Sequence, residues 1–84
     1  MFLAKIYVTL KEEVLDPQGN AVGKALHAMN YKEVQSVRIG KYMELYIEGE
    51  DAETVGKRVD EMCSRLLANP VIEQYSYELV EVET

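Results

Sequence analysis

The sequence predicts an α+β fold in the order strand, helix, strand, strand, helix, strand, with a four-stranded antiparallel sheet and both helices on one of its faces. Three observations predict it. Residues alternate with a period of two over 2–10, 36–39, 42–48 and 71–80. Apolar residues recur at spacings of three and four between Val22 and Met29 and between Val55 and Leu67. A proline stands at two of the transitions, in Asp16-Pro17 and Asn69-Pro70.

In the first segment Phe2, Ala4, Ile6, Val8 and Leu10 share one face, and Leu3, Lys5, Tyr7 and Thr9 share the other, as in a strand. Lys11, Glu12 and Glu13 break the alternation. Asp16 then supplies a side chain able to cap free helical N–H groups, and Pro17 suits the first helical position. Val22, Ala25, Leu26 and Met29 form the apolar stripe of a helix reaching to about Asn30. Gly19 and Gly23 each cost that helix about 1 kcal/mol relative to alanine, which marks them as places of close packing.

Val37 and Ile39 alternate with Ser36 and Arg38, and Met43, Leu45 and Ile47 alternate with Tyr42, Glu44, Tyr46 and Glu48, which predicts a hairpin turning near Gly40-Lys41. A two-residue turn pairs Val37 with Glu44. A three-residue loop or bulge instead pairs Ile39 with Met43 and Val37 with Leu45 on one apolar face, and is preferred because a one-residue slip reverses every side chain. Glu50, Asp51 and Glu53 favour a helix start, and Val55, Val59, Met62, Cys63, Leu66 and Leu67 form its stripe. Asn69-Pro70 ends that helix, and the run from Val71 to Val80 supplies the last strand, with Tyr75, Tyr77 and Leu79 as the inward set. Right-handed crossovers around both helices give a ferredoxin-like split β-α-β-β-α-β arrangement.

Eighty-four residues suffice for one domain, residues 1–84, and not for a second core. Nine Lys and Arg against fifteen Asp and Glu leave a net charge of -6, which opposes binding to nucleic acid or an anionic membrane. Cys63 is the one cysteine, so an internal disulfide or a cysteine-rich zinc site is excluded. The first residues lack a basic start followed by an apolar run, and no stretch approaches about 20 apolar residues, so a cytoplasmic location is expected.

No constellation of catalytic residues is visible. His27 stands at the edge of a helical stripe with no second His or Cys at metal-ligand spacing, and Cys63 sits among Val59, Met62, Leu66 and Leu67 as a core thiol. The carboxylates are scattered over solvent faces, and no glycine-rich phosphate loop occurs. No catalytic, cofactor or metal residue is therefore assigned. The face of the sheet left bare by the helices carries Tyr7, Tyr42 and Tyr46 among Lys5, Thr9 and Glu44, a mixture that suits a protein interface. Arg38 and Lys41, basic positions beside the expected turn, complete the candidate partner contacts.

Three segments carry a resemblance to a known family: Val14-Leu15-Asp16-Pro17-Gln18-Gly19, Val37-Arg38-Ile39-Gly40-Lys41, and the stretch from Met62 through Leu66-Leu67-Ala68-Asn69-Pro70-Val71-Ile72 to Glu73. Together they resemble the PurS subunits of phosphoribosylformylglycinamidine (FGAM) synthase, over nearly the whole chain. The resemblance implies a small accessory subunit in purine biosynthesis that self-associates as a dimer or tetramer. It further implies that the subunit joins a PurL synthetase to a PurQ glutaminase and supports ammonia transfer between them. The complex is then a glutamine-dependent C–N ligase that uses ATP with Mg, and this chain is non-catalytic. Two other classes suit the fold. A ligand-sensing regulatory domain needs a convergent polar pocket at a dimer seam, and a small acylphosphatase needs an anion-binding loop where Leu10-Lys11-Glu12-Glu13-Val14 is acidic and lacks glycine.

Overall fold

In the computed structural model, which describes residues 1–83, β1 (Phe2–Leu10) is the middle strand of a three-stranded antiparallel sheet. It lies between β2 (Gly40–Ile47) and β3 (Glu73–Glu81). The register places Ile6 opposite Met43 and Tyr77, and Ala4 opposite Leu45 and Leu79. Those residues all point to the face on which α2 (Ala52–Met62) packs Val55 and Val59. The alternation at 2–10 thus becomes a core of Phe2, Ala4, Ile6 and Val8 against one helix.

α2 begins where Asp51 accepts a hydrogen bond from the Thr54 amide at 2.7 Å. It ends in a π-helical turn, Cys63–Leu67, in which the Ala68 amide donates to the Cys63 carbonyl at 3.0 Å. Cys63 is thereby buried in the core, and burial pushes its thiol pKa up. The inward set of β3 is Tyr75, Tyr77 and Leu79, as the sequence predicts. Its two tyrosines bind the helix that covers them: the Tyr75 hydroxyl donates to Asp60 at 2.8 Å and the Tyr77 hydroxyl to the Gly56 carbonyl at 3.2 Å.

The expected hairpin at Gly40-Lys41 is corrected. Gly40 and Lys41 lie inside β2, opposite Thr9 and Val8, and the sheet has three strands, not four. The glycine is there for closeness. A β-carbon at Gly40 would stand 2.1 Å from the Val8 carbonyl oxygen, and among the described residues no glycine adopts positive φ. The left-handed residue is instead Asn30, at φ 74, just beyond the end of α1 (Pro17–Ala28).

The placement of both helices on one face is corrected as well. With no reversal at residue 40, the chain before β2 continues beyond the end of the sheet and carries α1 with it. The α1 helix packs on residues 34–39 rather than on the sheet. Asp16 at its start accepts a hydrogen bond from the Ile39 amide, and His27 near its end donates from Nε2 to the Val34 carbonyl at 2.6 Å. Those anchors lie about 16 Å apart along the helix, the reach of five extended residues. Residues 34–39 are therefore an extended ribbon running antiparallel to α1, and the close-packing glycine Gly19 faces Val37 of this ribbon. Helix and ribbon form an arm. The chain measures 50 × 28 × 14 Å with a radius of gyration of 16.4 Å, where a compact chain of this length has about 12 Å.

The caps set an acid limit. Backbone hydrogen bonds from Ile39 and Gly19 hold the Asp16 carboxyl below its ordinary 3.8, and bonds from Thr54 do the same for Asp51. Folded-state values lower than unfolded ones mean stabilisation that is fully present above about pH 4 and lost as pH falls through the folded values. Thermal melts of the parent and of the Asp16→Asn/Asp51→Asn variant are expected to differ in their pH dependence below pH 4, the parent losing more. Parallel curves would contradict it.

Candidate partner-binding surfaces

The junction between sheet and arm gathers several polar contacts between segments distant in the chain. One Asp16 carboxylate oxygen accepts from the Gly19 amide and the other from the Ile39 amide, each at 2.9 Å, so one side chain both caps α1 and ties it to the ribbon. The Arg38 guanidinium donates to the Leu10 carbonyl, strapping the ribbon to the end of β1. Across the junction the Lys41 ammonium lies 3.6 Å from the Glu73 carboxylate, whose other oxygen accepts from the Asn69 amide at 2.6 Å. Asn69 in turn accepts from Val71, and the Lys11 amide donates to the Ile72 carbonyl. A shallow cleft of about 350 Å³ opens here, lined by Asp16, Pro17, Ile39, Gly40, Lys41 and Glu73 among others. Its charged groups Asp16, Lys41 and Glu73 are engaged with one another or with backbone.

The sheet face opposite α2 is different in kind. The Tyr7 and Tyr42 rings lie 5.2 Å apart on adjacent strands and tilted by 38°. Tyr46, opposite Leu3 toward the other end of the face, is 65% exposed. Lys5 lies between Glu44 of β2 and Glu78 of β3. An aromatic, mixed-charge surface with no helix over it fits contact with another protein.

The five sequence-predicted contacts thus divide. Tyr7, Tyr42 and Tyr46 share the open face, Lys41 points to the other side of β2, and Arg38 belongs to the junction. Sequence reasoning identified Asp16 as a cap and missed its second bond to Ile39; it did not single out Glu73. Their signal was present in the quoted segments, which the fold brings together.

The Tyr42 hydroxyl donates to the Glu44 carboxylate at 2.8 Å. That hydrogen bond is the main cause pushing the Tyr42 pKa up to about 12. In a tyrosinate absorbance titration Tyr42 is expected to ionise near 12, and Glu44→Gln to lower its midpoint and shrink the late-ionising fraction. A late-ionising fraction of unchanged size in Glu44→Gln would assign the shift elsewhere, since Tyr75, raised by its bond to Asp60, accounts for the part that stays.

Comparison with known proteins places the whole chain. The sequence model of the PurS family, described as phosphoribosylformylglycinamidine (FGAM) synthase, matches residues 3–81. The chain belongs to the PurS family. It is thereby a PurS-type subunit of FGAM synthase. It is 62% identical over 82 residues to the FGAM synthase subunit PurS of Bacillus subtilis, covering 98% of this chain and 96% of that one. The crystal structure of Methanocaldococcus jannaschii PurS, one of the subunits of formylglycinamide ribonucleotide amidotransferase, superposes with a TM-score of 0.88 at 36% identity. That match covers 99% of this chain and all of the other. A chain in the structure of PurLQS from Thermotoga maritima matches with a TM-score of 0.84 at 28% identity, covering 95% of this chain and 99% of that one. The three segments on which the resemblance was read lie within the matched residues, are distant in the chain and meet at the junction, through Asp16 to Ile39 and Lys41 to Glu73.

Proposed function

We propose that this chain, as one PurS-like domain over residues 1–84, is the non-catalytic accessory subunit of a cytoplasmic FGAM synthase. It self-associates and joins the PurL synthetase to the PurQ glutaminase. The complex converts formylglycinamide ribonucleotide to formylglycinamidine ribonucleotide with ATP, Mg and glutamine, and ammonia passes from glutaminase to synthetase. The observation that carries this reading is the full-length match to a chain of the Thermotoga PurLQS structure. Among the described residues no helix is long and apolar enough to cross a membrane.

A connector of this kind acts through effective concentration: it holds two sites together so that ammonia is used before it escapes into water. Tyr7, Tyr42 and Tyr46 meet a larger subunit on the open face, while Arg38 and Lys41 shape the junction and contact a partner from there. In a reconstituted assay, omitting this chain is expected to reduce glutamine-driven synthesis by the other two subunits far more than ammonia-driven synthesis at saturating ammonia. Equal losses would make the chain a structural requirement of the synthetase, and no loss would end the proposal.

A further inference from the structure

We propose that the outer edge of β3 is a strand-docking site, taken by an extended segment of one larger subunit that sets an Arg or Lys side chain beside α2. The inference rests on the connector reading above and supplies the second surface that a connector needs, the open tyrosine face being the first. In the order β2-β1-β3 the last strand has a neighbour on one side only. The Lys11 amide donates to the Ile72 carbonyl and the Val82 amide to the Met1 carbonyl, which fixes the phase of the ladder between them. Gln74, Ser76, Glu78 and Val80 therefore exchange bonds with β1, and Tyr75, Tyr77, Leu79 and Glu81 turn their amides and carbonyls outward.

Exposed edges are ordinarily blunted by proline, lysine, a bulge or a covering element. This one is not. From Glu73 to Glu81 the strand pairs with β1 without a break, and it contains neither Lys nor Pro. Beside it runs a groove of about 450 Å³ between α2 and β3. Gly56, Tyr77 and Leu79 form its floor. A β-carbon at Gly56 would touch Tyr77 and Leu79 at 3.6 and 3.5 Å, so the glycine keeps the groove open.

Charge selects the occupant. Glu53 and Asp60 stand at the rim of the groove, and Glu78, Glu81 and Glu83 follow along the chain, with no Lys or Arg between residues 73 and 83. Lys57 also lines the groove, but its pair with Glu53, at 3.7 Å between two exposed side chains, holds it only weakly. Asp60 uses Oδ1 to accept from Tyr75, which leaves Oδ2 for a donor. A strand bonded to Tyr77 and Leu79 turns every second side chain toward the groove. An aliphatic stem fits over Gly56 and Leu79 with its cation between the two carboxylates, which is the form of Arg or Lys. Main-chain bonds then supply affinity and that side chain supplies specificity, as in other cases of strand addition. A second β3 in the same place would set glutamates against glutamates, and loses where a basic strand gains.

The test is binding of the full chain to purified PurL and to purified PurQ, with ATP, Mg and glutamine present, each measured against salt. Glu81→Pro removes an outward amide at an exposed position without taking a bond from β1, and Glu81→Gln controls for the charge. The proline variant is expected to weaken binding to one of the two subunits by about tenfold, the loss of one or two edge hydrogen bonds, and Glu81→Gln to weaken it much less. Glu53→Gln/Asp60→Asn keeps an acceptor for Tyr75; it is expected to weaken the same subunit by about tenfold and to flatten its salt dependence. Binding to the other subunit should stay at the parent's level. If Glu81→Pro does not fold, the double variant decides alone. Parent-like affinity in a folded variant, or equal weakening for both subunits, overturns the proposal and leaves the connector reading intact. So does a change confined to the oligomeric mass of the chain, which makes a second copy the occupant. A parent chain that binds neither subunit removes both readings.

Discussion

Replacing Ile6 with alanine is expected to lower stability by about 2–5 kcal/mol, enough to leave a large part of the population unfolded. Ile6 is fully buried at the centre of the middle strand, between Met43 and Tyr77 and among the core residues that include Val55 and Val59. Deleting its outer carbons removes both their transfer free energy and their contacts, and neither neighbouring strand can close the gap without giving up its register. The domain has few such residues. The largest side chains that are fully buried are Ile6, Val8, Val59 and Cys63, so one deletion takes a sizeable share of the apolar core. Urea denaturation should show the midpoint falling with an unchanged slope, the mark of altered stability rather than altered unfolding. A loss under about 1 kcal/mol would mean that the core sits elsewhere.

Gly40→Ala is expected to destabilise the chain although alanine ordinarily suits a strand better than glycine. Two effects oppose one another. Restricting the unfolded chain favours alanine by about 0.4–1 kcal/mol. Against it, the new methyl group would stand 2.1 Å from the Val8 carbonyl oxygen and close to the Thr9 side chain. Overpacking costs about 1–3 kcal/mol, and the upper end applies because the obstacle is backbone, which moves only if β1 and β2 part. The clash wins, and a melting temperature lower by about 5–15 °C is expected for a domain of this size. A melting temperature at or above the parent's would show that the two strands are not so close.

These two positions also show how far the sequence could be read. The alternation around Ile6 has one interpretation, because a period of two with one apolar face can be buried in one way, and the core strand was legible residue by residue. The inward set Tyr75, Tyr77 and Leu79 was legible for the same reason, and so were Val55, Val59, Cys63 and Leu67 of the α2 stripe; Leu66, expected in that stripe, is turned out by the π-helical turn and is 82% exposed. Gly40 was not. A glycine inside an alternating run signals either a turn or a close approach of backbone, and only the position of the Val8 carbonyl distinguishes them. Reading it as a turn produced a fourth strand and folded α1 onto the sheet. The family resemblance was legible in three segments, yet nothing local says that Asp16 reaches Ile39 or that Lys41 reaches Glu73.

The sequence by itself determined the two helices, the three strands that pair, the core face of each and the PurS affiliation. Each of these follows from periodicity, capping or local residue identity, which act over a few positions. Tertiary structure alone decided that the chain runs straight through Gly40, that α1 stands off the sheet as an arm, and that the motif residues converge at its base. Those outcomes depend on which backbone approaches which across the sheet, and a one-dimensional pattern does not contain that distance.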